Sequence, residues 1–130
     1  MKNLFLVAII AFSTLACTDK SAEEAAKLKE ETFKIHDDVM PISMNLEDLK
    51  TNVMTKAAAD TSLRKTALDI SLTLDKAYNG METWMPKIGE AADMKDNAEK
   101  VKAFTTLKAE GEAIKQATLD AKKKAEDFLK

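Results

Sequence analysis

Over its 130 residues the chain carries one cysteine, one histidine, two prolines and three glycines. A single cysteine, Cys17, excludes a disulfide framework, so any fold must be held by packing alone. With so little glycine, no phosphate-cradling loop of the nucleotide-binding kind can be built, and one histidine cannot supply a paired zinc motif. Aromatic residues make up only 5% of the chain, and no stretch alternates apolar and polar residues in the manner of a strand. Charge of one sign is lacking too: 20 Lys+Arg face 22 Asp+Glu, for a net charge of −2. The signs are interspersed, with no basic block longer than Lys122-Lys123-Lys124, and this excludes nucleic acid as an expected partner. No apolar run approaches the roughly 20 residues that a membrane-crossing helix requires. Catalysis needs a nucleophile, a base and an orienting group that converge. Only His36 with Asp37 and Asp38 resembles one, and consecutive residues on a helix do not face each other. No enzymatic activity and no cofactor are expected.

What the chain does have begins at its start. Lys2 is a short positive segment, Leu4 to Phe12 an unbroken apolar run, and Ser13-Thr14-Leu15-Ala16 a zone of mostly small residues ending at Cys17. This order is that of a signal peptide. It resembles a bacterial lipoprotein signal, with Leu15-Ala16-Cys17 as the heart of the lipobox and Thr14 where Leu, Val or Ile is usual. The resemblance implies a diacylglycerol on the Cys17 sulfur, cleavage after Ala16 and an acylated new amino terminus. An ordinary secretory signal cut at the same bond is the alternative, and it would leave a lone thiol in an oxidising compartment. Thr18 rather than aspartate after Cys17 favours the outer membrane of the cell envelope, facing the periplasm or the surface. Residues 1–16 are thus expected as signal peptide, 17–20 as lipidated cysteine and short tether, and 21–130 as the folded domain.

The remainder is dominated by Ala, Lys, Leu, Met, Asp and Glu, a composition of long helices. Steps of three and four select Ala25, Leu28, Thr32, Ile35, Val39, Ile42, Leu46, Leu49 and Val53. A flanking row of Phe33, Met40, Met44 and Met54 widens that face, which suits a bundle better than a two-stranded seam. Ser21 and Glu24 form a capping-box pattern. The spacing predicts one helix from Ser21 to about Ala57, kinked at Pro41 because the Asp37 carbonyl there loses its donor. A second helix, capped by Asp60 or Thr61, carries Leu63, Ala67, Ile70, Leu74, Ala77, Met81, Trp84 and Ile88, with Pro86 and Gly89 closing it. After a loop at 87–96, a third carries Phe104, Leu107, Gly111, Ile114, Thr118, Ala121, Ala125 and Phe128. Acid-before-lysine pairs (Glu23–Lys27, Glu30–Lys34, Asp96–Lys100, Asp120–Lys124) are expected along these helices. The expected fold is all-α: an antiparallel three-helix bundle of long helices, preceded by the signal peptide. Its topology sets the Trp84–Met94 turn at the end that carries Cys17, near the membrane, and Lys130 at the far end. Sustained heptads equally allow helices of two chains to pair.

Several residues could carry chemistry. His36, Met40 and Met44 stand at i, i+4 and i+8, and Met81 and Met85 repeat the spacing beside Trp84. Imidazole and thioether suit Cu(I) or haem iron, which makes a periplasmic Cu(I)- or haem-binding bundle the first alternative function. The commoner use of such methionines is to fill gaps in a core. Glu23-Glu24, Glu30-Glu31 and Asp37-Asp38 recur every seven residues as a carboxylate ladder, either a solvated face or a place for divalent cations or a basic partner. A cell-wall tether through Lys130 is the second alternative, because some helical outer-membrane lipoproteins are joined to peptidoglycan through a terminal lysine.

His36-Asp37-Asp38-Val39-Met40-Pro41 and Met81-Glu82-Thr83-Trp84-Met85, with a lysine-rich last helix, resemble a family of small helical lipoproteins from Bacteroidetes-type bacteria. Some of its members are labelled "viral A-type inclusion protein". The likeness spans most of the chain after Cys17 and departs at Ile42-Ser43, where a basic residue is more usual. It implies a helical fold and an envelope address but no activity. The leading expectation is a membrane-anchored, non-enzymatic lipoprotein whose helical bundle is an interaction or structural module for another envelope component.

Overall fold

The computed structural model describes the backbone of residues 15–130 and the side chains from residue 20 onward. Residues 1–14 of the expected signal peptide (1–16) lie outside the described residues. Four α-helices, and no strand among the described residues, build a three-armed antiparallel bundle. They are α1 (Leu15–Met44), α2 (Leu46–Ala59), α3 (Arg64–Asp93) and α4 (Asn97–Leu129). The first arm is α1 followed by α2, the second α3, the third α4. None of these helices is long and apolar enough to cross a membrane.

The expected stripes are the buried ones. Ala25, Ile35, Val39, Leu46 and Val53 on the first arm, Ala67 to Ile88 on the second, and Phe104, Leu107, Ala121 and Ala125 on the third form the core. The flanking row is only partly used. Met40 and Met54 pack against the core, whereas Phe33 and Met44 are 39% and 66% exposed. With only two neighbouring arms to bury against, the first arm has no third surface for so wide a face.

Helix ends depart from expectation in three places. α1 is already helical at Leu15, the first described residue, so Ser21 lies inside a helix rather than at its cap, and Thr18, Asp19 and Lys20 belong to that same helix. Pro41 lies inside α1, and the interruption falls at Asn45, one turn later. There the Asn45 backbone N–H donates to the Ile42 carbonyl (3.1 Å). The Pro41 carbonyl, left free by that shift, accepts instead from the Asn45 side-chain amide (2.8 Å). α3 does not stop at Pro86 or Gly89 but runs to Asp93. Proline in a helix interior costs about 3 kcal/mol. Pro86 and the Glu82 carbonyl it deprives sit on the exposed side, and burial of Ile88 and Ala91 beyond it offsets the loss. The loop before α4 therefore shrinks to Met94-Lys95-Asp96. Asp96 closes it as an N-cap, accepting from Glu99 N–H at 2.8 Å. At the other turn Asp60 is the cap, accepting from Ser62 N–H at 3.0 Å ahead of a 3-10 turn at Thr61–Leu63.

None of the four expected acid–lysine pairs within helices closes. Other pairs close within helices (Lys50–Glu47, Lys122–Glu126, Lys123–Asp127). Four join helices: Glu31 to Lys108 (2.8 Å), Asp38 to Lys115 (3.1 Å), Asp75 to Lys50 (2.7 Å) and Glu110 to Lys87 (3.0 Å). The first two both span 77 residues, so α1 and α4 run parallel in a fixed register. That register brings Lys20 level with Asn97.

Candidate functional site

Cys17 lies in the first turns of α1, and its side chain falls outside the described set. Because Lys20 is level with Asn97, the cysteine stands at the end of the bundle that holds the Met94–Asp96 turn. The α2–α3 turn and Lys130 stand at the opposite end. The Lys130 ammonium donates to Asp127 at 2.7 Å, which raises its pKa above the ordinary lysine value. Asp127 also accepts from Lys123. These two donors, Lys123 before Lys130, hold the Asp127 carboxyl down at about 2.

The two distinctive sequence segments meet at one level of the core. Val39 from the first and Met81 with Trp84 from the second share a cluster with Ile35, Ile88, Ala91, Phe104 and Leu107, and Met40 packs on it. Trp84 is 1% exposed. Its indole N–H donates to the Leu107 carbonyl at 3.0 Å, so the one polar atom of the ring is satisfied inside the core. Opposite the ring stands Gly111, where a Cβ would lie 2.3 Å from Trp84 Cζ2 and 3.2 Å from Ile35 Cγ2. The glycine is a notch that admits the indole. Its role was missed in the sequence, although a glycine on the buried stripe of a long helix, costing about 1 kcal/mol against alanine, is the signal for close approach.

The soft-ligand candidates are distributed between core and surface. Met81 is 1% exposed and fully in the core, Met85 is 37% and Met44 66% exposed, and Met40 is half-buried against the Trp84 cluster. His36 is half-buried, and its Nδ1 lies 3.0 Å from Asp37 Oδ1, a contact that orients the ring and turns Nε2 away from the carboxylate. Among the described residues no group of three or more His, Cys, Asp or Glu side chains is placed to hold a metal ion.

The carboxylate ladder divides in two. Its inner members Glu31 and Asp38 take lysines from α4, and the Lys108 ammonium draws the Glu31 pKa below the usual carboxylate value. Its outer members Glu30 and Asp37 stay exposed. Glu47, Lys50, Thr51, Met54, Thr55 and Ala58 line an open groove of about 400 Å³. All six belong to α2, so the groove is one helix face rather than an enclosed site.

These features define a class by architecture: an all-α three-helix bundle with Cys17 within its first helix. No family model, curated protein or solved structure matches the chain.

Proposed function

We propose that the protein is a lipoprotein of the bacterial cell envelope, anchored through acyl chains on Cys17, and that its bundle acts without catalysis as a structural or interaction module. The observation that carries this reading is Cys17 at the end of the Leu4–Phe12 apolar run, the sole cysteine of the chain. The helical backbone at residues 15–17 is consistent with it. Cys17 is continuous with α1, so a lipid there attaches to a rigid rod rather than to a slack tail. Cleavage after Ala16 would make Cys17 the first residue of that rod, and Thr18 favours the outer membrane. A single acyl chain holds a protein only marginally, whereas two or more hold it stably, and the lipoprotein pathway supplies that number.

Labelling cells with an alkyne fatty acid and partitioning the extract in detergent tests the anchor. The wild-type chain takes label and enters the detergent phase, and Cys17→Ala does neither. A wild-type chain that is unlabelled and aqueous overturns the reading. Crosslinking in intact cells tests the module: a defined envelope protein is captured from the wild type, and consistent recovery of the uncrosslinked chain counts against it.

A further inference from the structure

The core is made of two clusters that share no residue, one around Trp84 and one around Leu46, Val53, Ile70 and Leu74. Between them the first arm carries Ser43, 2% exposed, and α4 carries Thr118, 0% exposed. The 77-residue register of α1 on α4 sets Thr118 level with Pro41, within one turn of Ser43 and about one turn from Asn45. Three departures from regular packing therefore coincide at one height. The helix is interrupted at Asn45, the main partner of the first arm changes there from α4 to α3, with the other arm still in contact on each side, and the Thr118 hydroxyl is buried without a hydrogen-bond partner. That hydroxyl is unusual in this chain. Thr32, Thr73 and Thr105, also within helices, each donate to the carbonyl four residues back.

We infer that this polar waist is a hinge, at which the half of the bundle built on α2 opens as a unit while the half built on Trp84 stays closed. The closed half has a buried indole, a buried Phe104 and the Trp84–Leu107 hydrogen bond across two arms. The opening half has no fully buried aromatic ring, and five of its nine fully buried apolar residues are alanines. Alanine methyls remove little surface from water, so this half gains less on closing. Opening also hydrates Thr118, and relief of an unpaired buried hydroxyl favours the open state by roughly 5- to 150-fold. The result is an apolar face, with Leu46, Val53, Ile70 and Leu74 at its centre, that meets solvent only in the open state and only at the end remote from Cys17. The inference concerns packing alone and stands whether or not Cys17 carries lipid.

Native-state hydrogen exchange on the purified mature chain, in rising but sub-denaturing urea, reads the hinge directly. Amides of 46–59, 64–77 and 121–129 are expected to share an opening constant at least about tenfold larger than those of 32–40, 81–91 and 104–111, with a shallower urea slope. A single opening constant and slope for both sets overturns the hinge. Thr118→Val keeps the shape and removes the hydroxyl. It is expected to slow exchange of the first set roughly tenfold, and unchanged exchange there overturns the role of the waist. Trp84→Phe, which deletes the indole donor, is expected to speed exchange in the second set and leave the first unchanged. Both sets accelerating together overturns their independence.

Discussion

Around Trp84 the bundle sets one large ring into the notch left by Gly111, whereas around Ala57, Ala67, Ala121 and Ala125 it brings three arms together on methyl groups. Each end approaches closely, but by different means. In the first, a cavity on one helix is matched to a rigid side chain on another, so shape and hydrogen bonding specify which residues meet. In the second, small residues permit close approach without demanding a particular partner, and long side chains at the rim (Lys56 over the Phe128 ring, Tyr78, Met54) cover the seam. Packing of the first kind is intolerant of change in either partner. Packing of the second kind is more forgiving and holds less tightly.

The strongest way to break the contrast is Trp84→Ala. It empties the notch and leaves the Leu107 carbonyl without the indole donor, and truncations of this size cost about 3–5 kcal/mol. Urea unfolding followed by circular dichroism should show the loss, and a cost below about 1 kcal/mol would mean that the ring does not lock this end. Gly111→Ala comes next. Its new methyl would meet the indole at 2.3 Å and 2.7 Å and Ile35 at 3.2 Å, and the clash outweighs the helical gain for a net loss of about 1–2 kcal/mol. In Trp84→Phe the same glycine substitution should be nearly neutral, because the smaller ring vacates the contested space; that non-additivity is read from a double-mutant cycle. Gly89→Ala sharpens the comparison by reversing sign. Nothing lies within 4 Å of its absent Cβ, so alanine should stabilise α3 by about 0.5–1 kcal/mol.

Acid gives the smallest effect, through ion pairs outside both clusters. Glu31 and Asp127 titrate below their ordinary values because lysines donate to them in the folded state. Their contribution is complete above the unfolded carboxylate values of 4.5 and 3.8 and is lost as pH falls through the lowered folded ones, about 2 for Asp127. The melting temperature should therefore decline as pH falls from about 5 towards 2. In Glu31→Gln the decline should be shallower, and an unchanged slope would show that the Lys108 pair is too screened to count.

The stripes were legible in the sequence because burial in a helix follows its period. Ala67, Ile70, Leu74, Ala77, Met81, Trp84 and Ile88 are each selected by steps of three and four, and each is buried. What the period does not carry is how far a helix persists against a local breaker. Pro86 and Gly89 read as an end, yet Ile88 and Ala91 had a core to enter, and tertiary burial decided the matter. Pro41 likewise marks the region of the interruption but not its position, which depends on the Asn45 side chain reaching the Pro41 carbonyl. The acid–lysine pattern pointed to pairs along each helix. Those four expected pairs do not close, and the neighbouring acids Glu31 and Asp38 pair with Lys108 and Lys115 on another helix, a choice set by register between arms. The metal candidates His36, Met40 and Met44 were drawn from one helix row, and that row passes from half-buried Met40 to exposed Met44.

An odd number of arms has a consequence for reach. A chain that folds back once or three times returns to the side it started from, whereas this one folds back twice and finishes opposite its start. α4 is 33 residues long, roughly 50 Å at 1.5 Å per residue, and it runs in the same direction as α1. A lipid held at the Cys17 end would turn the bundle into a ruler, with whatever is borne at Lys130 displaced from the bilayer surface by about that length.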